Sequence, residues 1–471
     1  MGTQFFELSA IFIYLGVLLA IGFLSHRKQQ SAADFIIGSR SLNYWLTALA
    51  AHASDMSSWM FMGYPAAIFL GGYLGGWTAV GLILFMFLNW QLVAPKIRVA
   101  TEQFSSLTFS SFFESRLADT SGRIRLFTAL MSLFFYTIYI SAGFVGLGIL
   151  INTLFGIPYD IGILIGVLIV VPYVFIGGYV TLAWLDLFQG IFLMLVILFV
   201  PFYLLPKVGG FEAISQAISS RNLMNTMFPE FSVKGYLNIL FMIGGWGLGY
   251  FGQPHIVTKF MGIKRVEEMS KSKYIGMSWM TISLAAATFV GLVSIAYFAQ
   301  GIKDPEQVFI LMVNQSFHPM LVGFFLCAIL AATINATSSQ VLVLSSTLTE
   351  DFYKRIFRKT ATSKELLLVS RLGVILVAIF SFCIAFAKVS SIYSLVQYAW
   401  SGLGASFGPL LLLCLYSKKV TKEGAWAGIL VGGFVSAIWP SFSSVPPLIP
   451  GFFASFISII FVSSLFSKLK K

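Results

Sequence analysis

Apolar stretches of helical length follow one another almost without pause, at 5–25, 43–70, 77–95, 126–151, 159–176, 181–205, 235–257, 274–299, 318–348, 366–387, 390–416, 424–441 and 449–467. A helix needs about 20 apolar residues to cross a bilayer, and lipid-exposed spanning backbone has to close its own hydrogen bonds as helix or closed barrel. Barrel strands alternate over roughly 10 residues, which these runs do not. The pattern therefore predicts an all-α membrane protein of about thirteen transmembrane helices.

Two runs break the pattern from within. In the second, Ala53-Ser54-Asp55-Met56-Ser57-Ser58-Trp59 places a carboxylate and three hydroxyls in an apolar stretch that continues through Gly63 and Pro65. A charge at mid-bilayer costs at least about 2.5–3.5 kcal/mol, so an intramembrane Asp is by default a functional group. In the seventh, Gly244-Gly245-Trp246-Gly247-Leu248-Gly249-Tyr250-Phe251-Gly252-Gln253-Pro254 crowds glycine and proline into one span. Each glycine costs about 1 kcal/mol against alanine in a helix, and proline removes a ladder bond. Close helix packing is one use for small residues in membranes, but it leaves Trp246, Tyr250 and Gln253 unaccounted for.

The two flawed runs stand five spans apart. Residues 43–205 and 235–416 thus read as two inverted five-helix repeats within a single transporter domain, 1–471, with a leading helix at 5–25 and a trailing pair over 424–467. Interrupted helices at matching positions mark a midplane site, where freed carbonyls hold a cation and helix N-termini face a carboxylate.

Composition and charge narrow the setting. With 58% hydrophobic and 10% charged residues, the chain has too little charge to cover a soluble surface. If the N-terminus lies outside, only Lys207, Arg221, Lys234, Lys303 and Lys388 of the 30 Lys and Arg face outward, a strong positive-inside bias that puts the C-terminus in the cytoplasm. Arg27 and Lys28 follow the first run, which lacks a basic leader and a cleavage site, so it reads as a retained helix. The net charge of +12 falls in short loops and fits anionic membrane lipids better than nucleic acid. Cys327, Cys383 and Cys414 lie in separate runs, the four histidines lack metal-ligand spacing, and no phosphate loop is present. Nothing here points to an enzyme or to a cofactor. A channel needs a continuous polar lining, yet Asp55 and Asp186 are the only carboxylates away from the ends of the runs.

At Gly38-Ser39-Arg40-Ser41-Leu42, the Asp55 segment, Phe135-Tyr136-Thr137-Ile138-Tyr139, Phe175-Ile176-Gly177-Gly178, the seventh-run string through His255, Ala328-Ile329-Leu330-Ala331-Ala332 and Thr349-Glu350-Asp351, the chain resembles the sodium/solute symporter family. The resemblance implies a LeuT-type core and alternating access driven by sodium, with L-proline as the imported solute and the bacterial inner membrane as location. It also implies a proline pocket lined by Trp59, Tyr139, Trp246, Tyr250 and Pro254, with Ser57 beside it. Aromatic faces suit this reading, since they wall an apolar ring and attract a secondary ammonium by about 0.5–2 kcal/mol.

For the cation, the resemblance assigns the carbonyls of Ala53, Met56 and Ala332, with Asp55 close by. Where the family has two adjacent hydroxyls this chain has Asn335-Ala336. An amide oxygen suits a hard cation, whereas alanine offers nothing from its side chain. Three accounts stay open: water or Thr337, Ser338 or Ser339 completes the sphere, sodium binds more weakly, or protons replace it through Asp55 or Asp186. A serine in a membrane helix also readily bonds the preceding turn, which applies to Ser338 and Ser339. Ser58 stands in place of the family's small glycine and narrows the pocket. Arg40 anchors the second run or, by resemblance, takes part in sodium coupling. Asp186 either snorkels near the start of the sixth run or lies on the inward cation path. His52 and His255 read as buried hydrogen-bonding groups. The remaining alternative is a symporter coupled to protons, or one with another amino acid or small solute as cargo.

Overall fold

The computed structural model describes residues 2–25, 32–228 and 232–469; Arg27 and Lys28 lie outside them. The chain runs α1 (Gly2–Ser25), α2 (Ala32–Ile37), α3 (Tyr44–Ala53), α4 (Tyr64–Gly71), α5 (Gly76–Leu88), α6 (Ala94–Gln103), α7 (Phe109–Arg116), α8 (Arg123–Phe155) and α9 (Tyr159–Leu204). It continues through α10 (Gly210–Ser220), α11 (Val233–Gly247), α12 (Pro254–Met261), α13 (Met269–Tyr297), α14 (Val308–Ser316) and α15 (Pro319–Thr347). The last four are α16 (Ser363–Phe386), α17 (Ile392–Tyr416), α18 (Lys422–Ile438) and α19 (Leu448–Leu469). Among the described residues there are only isolated bridges, Leu42 with Ile263 and Gly72 with Met224, and no strand.

Ten helices of the described residues are long and apolar enough to cross a membrane. The difference from the expected thirteen has two causes. The second and seventh runs are split into α3 with α4 and α11 with α12, pieces too short to span alone. The fifth run contributes only the shorter apolar stretch Tyr159–Pro172, whose backbone continues past Pro172 into the sixth run as α9, 46 residues long. Leaving the helix at membrane depth exposes N–H and C=O groups that nothing hydrates, so glycine and proline bend such a helix more readily than they end it.

Burial separates an inner set of helices from an outer one. The most apolar windows of α8, α15 and α17 are each 78% buried, against 17% for α1 and 33% for α16 and α19. The inner helices carry the polar residues: Thr333, Asn335 and Ser338 of α15 are fully enclosed, whereas Phe12 and Phe23 of α1 are exposed. This is the inverse of a soluble fold, and it directs the unusual chemistry to the centre.

Both broken elements start from secure caps. The Asn43 side chain accepts the N–H of Leu46 at 2.9 Å ahead of α3, and the Ser232 hydroxyl accepts that of Gly235 at 3.1 Å ahead of α11. Their opposite ends are where regular structure stops.

Candidate functional site

Beyond Ala53 the helical ladder lapses. The N–H groups of Asp55 and Met56 both turn back to the carbonyl of His52, at 3.2 Å each, and the chain recovers only when Met60 N–H reaches Ser57 O at 3.0 Å. A π-helical turn, Trp59–Gly63, then leads into α4. Such wide turns recur at functional sites because they displace a side chain from helical register. His52 is itself fixed: the indole N–H of Trp90 donates to its Nε2 at 3.1 Å, which leaves the proton on Nδ1. Its ring fills the space left by Gly276, where a Cβ would strike the imidazole.

The second break is built differently. α11 tightens into a 3-10 turn, Leu248–Gly252, Gln253 adopts an extended conformation, and Pro254 begins α12, where its missing N–H is harmless. The N–H groups of Ile256 and Val257 take up the Gln253 carbonyl at 3.2 and 3.0 Å. Proline and the clustered glycines thus set the break seen in the sequence.

One hydrogen bond joins the two breaks. Tyr250 O–H donates to Asp55 Oδ2 at 2.5 Å. Around it lies a cavity of about 20 Å³ lined by Asp55, Met56, Ser57, Trp59, Leu82, Tyr139, Trp246, Tyr250, Val396 and Trp400. Five of the six expected solute residues therefore converge. The sixth, Pro254, does not: it borders a different small cavity with Thr108, Ser110, Thr258 and Ser346. The first helical position of α12 turns its ring away from the rings that precede the break.

Three rings partition this cavity from a larger one. Trp59 and Trp246 lie 4.9 Å apart between centroids, Trp246 and Tyr393 5.3 Å, and the Trp246 indole N–H donates to the Tyr393 hydroxyl at 3.1 Å. On the far side is a chamber of about 520 Å³ whose lining includes Thr78, Trp246, Asp304, Glu306, Tyr393 and Gln397. Glu306 spans the start of α17, accepting the N–H groups of Ile392 at 3.1 Å and Tyr393 at 3.0 Å. Burial holds its carboxyl above the usual range, reinforced by Asp304 and opposed by those two N–H groups.

The residues named for a cation are enclosed but less completely assembled. Ala53, Ala332 and Asn335 are fully buried and Met56 is 2% exposed. Neither Oδ1 nor Nδ2 of Asn335 has a partner, and the Ser339 hydroxyl also lacks one. Ser338 instead bonds the Asn335 carbonyl one turn back at 3.1 Å, the bland use open to a helical serine. Buried amide groups without partners are uncommon and leave donor capacity unspent at this position.

Arg40 reaches the carbonyls of Thr101 and Ser106 at 2.8 and 3.3 Å, so it ties the approach to α3 onto the end of α6. Asp186 does not snorkel. It is fully buried, 3.1 Å from Lys259 Nζ, and Lys259 is enclosed beside the Tyr179 ring. A carboxylate drawn to solvent has no need of such a partner; one sealed in the bundle does. His255 is buried, as expected, with its backbone N–H on the Tyr136 hydroxyl at 2.9 Å and that hydroxyl 3.0 Å from Nδ1.

Lys259, Trp400, Tyr393 and Glu306 escaped sequence reasoning. A signal existed for Lys259, because a buried intramembrane carboxylate implies a partner nearby. Trp400 and Tyr393 lie in a run that is unremarkable in a chain with 16% aromatic residues.

Comparisons agree along nearly the whole length. The family model described as the sodium:solute symporter family matches residues 35–432. The high-affinity proline transporter PutP of Bacillus subtilis is 42% identical over 95% of this chain and 96% of its own. Sodium/proline symporter 2 of Staphylococcus saprophyticus is 39% identical over 97% and 92%. Among solved structures, a Na+-coupled sialic acid symporter in a substrate-bound outward-open state superposes with a TM-score of 0.84 at 19% identity, covering 98% of each chain. MHP1, a nucleobase-cation-symport-1 family transporter in a closed conformation, gives 0.58 at 15% over 93% and 96%. At these identities the structural likeness establishes the fold, which is the LeuT type expected.

Proposed function

This chain belongs to the sodium:solute symporter family, and from that premise we propose that it imports L-proline together with sodium by alternating access. It is a multi-pass membrane transporter, not an enzyme. The names of the two relatives, both similar to it across almost the full length, support proline as cargo.

The observation that carries the mechanism is the Tyr250–Asp55 hydrogen bond between the two breaks. Sodium binds beside the carbonyls of Ala53, Met56 and Ala332 with the Asn335 amide, and Asp55 supplies the negative charge. A cation that engages Asp55 competes with Tyr250 for the carboxylate. The freed hydroxyl then donates to the carboxylate of proline, whose ring and secondary ammonium lie among Trp59, Tyr139 and Trp246. Each ligand thereby prepares the site for the other, and that reciprocity is the coupling free energy.

A cavity of about 20 Å³ has room for roughly one water, so proline enters only when the partitioning rings separate. Entry is from the 520 Å³ chamber, and release is toward the Arg40 end, with Asp186 and Lys259 along that route. Proline bridges the second, fourth and seventh runs, and the bundle rocks about this site to expose it inward. The protein lies in the bacterial inner membrane, N-terminus outside and C-terminus cytoplasmic, with its basic loops against anionic lipid.

Proteoliposomes test the reading. An imposed inward sodium gradient should drive uptake of labelled proline, and a pH gradient alone should not. Uptake driven by protons without sodium replaces the ion; transport of a solute with which proline does not compete replaces the cargo.

A further inference from the structure

The wall of the central cavity contributed by α17 has a construction that none of the other lining residues shares. The Trp400 indole N–H donates to the Trp246 carbonyl at 2.8 Å, at the end of the α11 ladder. Gln253 returns the link, its amide N–H donating to the Trp400 carbonyl at 3.0 Å. The Tyr250 ring meets the indole edge-on, with centroids 5.1 Å apart at 88°. Under the indole lies Gly249, where an added Cβ would collide with Nε1, Cδ1 and Cε2 of that same ring. The indole is thus held by its donor bond to the Trp246 carbonyl, by the Gly249 backbone it lies against and by the Tyr250 ring.

Trp59, across the same cavity, contrasts with it. Its indole nitrogen is buried with no partner, and its ring is stacked on Tyr64 at 5.0 Å and lies tilted against Trp246 at 4.9 Å. When the cavity widens to admit a solute, Trp59 moves without losing a hydrogen bond. Trp400 cannot move without breaking the bond its indole donates to the Trp246 carbonyl.

We propose that Trp400 is the specificity-determining wall of the solute pocket: a fixed surface that sets the ring size of the cyclic amino acid accepted, with Gly249 holding it in place. The proposal rests on the reading of this pocket as a proline site. A rigid apolar wall discriminates by volume, and one methylene in such a pocket is worth about 10–200-fold. The six-membered homologue, pipecolate, is accordingly excluded by that order relative to proline.

Competition against labelled L-proline uptake by the full-length chain in proteoliposomes tests this, with pipecolate and the four-membered azetidine-2-carboxylate as competitors. Trp400→Phe removes part of the wall and the indole donor; the pipecolate-to-proline ratio of inhibition constants should fall at least about tenfold. Gly249→Ala pushes the indole into the cavity and should shift preference the opposite way, toward azetidine-2-carboxylate. A purely structural role lowers uptake while leaving these ratios as in the unmodified protein, and that result in either variant overturns the proposal. If Trp400→Phe fails to accumulate in membranes, Gly249→Ala alone decides by the same ratio. Absence of proline uptake in the unmodified protein overturns the transport reading, and this proposal with it.

Discussion

Asp55 and Asp186 are both carboxylates enclosed at membrane depth, yet their surroundings treat them in opposite ways. Asp186 has no exposed surface and faces a full positive charge, Lys259 Nζ at 3.1 Å. Asp55 is 9% exposed at the edge of a cavity and receives one hydroxyl, from Tyr250 at 2.5 Å. A buried charge needs a counter-charge or several hydrogen bonds to offset lost hydration. Asp186 has its counter-charge built into the chain; Asp55 is left short of one. The first is a pair complete within the chain, and the second is, in the proposed mechanism, the place where an arriving cation gains the most.

The strongest challenge to this contrast lies at the finished pair. Lys259→Met strands Asp186 and should lower stability by about 3–5 kcal/mol in thermal unfolding of the detergent-solubilised protein. The double variant Asp186→Asn/Lys259→Met should recover most of that loss. A double variant no more stable than Lys259→Met alone shows that the two do not act as a unit.

Asp55→Asn should behave the other way, with folding largely intact and cation response lost. Half-saturating sodium for proline uptake should rise at least tenfold, about 1.4 kcal/mol or more. Unchanged sodium activation in that variant takes Asp55 out of the mechanism and leaves the two carboxylates alike.

Tyr250→Phe isolates the bond between the breaks. A hydrogen bond to a charged group contributes about 1.5 kcal/mol at the lower end of its range, so the variant should show roughly a tenfold higher KM for proline. In the proposed mechanism sodium competes with Tyr250 for Asp55, so sodium should bind at least as tightly as before. Weaker binding of both ligands excludes the proposed exchange of partners.

The smallest expected effect provides a baseline carboxylate outside the spans. Burial raises the Asp119 carboxyl, but hydrogen bonds from the Ser121 hydroxyl and from the N–H groups of Ile124 and Ser121, with the Lys422 charge, outweigh it and hold the group below its usual value of 3.8. A depressed carboxyl stabilises the fold above its unfolded pKa and loses that contribution as pH falls through the folded one. Unfolding temperature should therefore drop slightly below about pH 4, and Asp119→Asn should remove that component of the slope.

Both breaks were legible in the sequence because each violates helical economy openly: Asp55 and its serines in an apolar run, glycines and a proline in the other. The pocket rings came from the family resemblance rather than from the breaks themselves; Trp59, Trp246 and Tyr250 beside the breaks and Tyr139 on α8 do meet in one cavity. Pro254 carried no information about which side of α12 it faces, since a helix start sets direction only in three dimensions. Lys259 lies just beyond an apolar run, where lysine ordinarily reports topology, so its partnership with Asp186 stayed hidden. The union of two runs in α9 was equally hidden, because Pro172 and the Gly177-Gly178 pair resemble a boundary whether or not the helix ends there. The short helices α7, α10 and α14 have too few residues for an apolar pattern to show.

The partition between the small cavity and the large chamber is made partly of indole, and that gives it an optical property. Trp59 and Trp246, 4.9 Å apart and inclined at 44°, form a closely spaced chromophore pair among the ten tryptophans of the chain. Two transition dipoles held so near at a fixed angle couple, and their circular dichroism in the ultraviolet depends steeply on separation. Opening of the partition is thereby written into the absorption of the unlabelled protein, with Trp59→Phe as its natural blank.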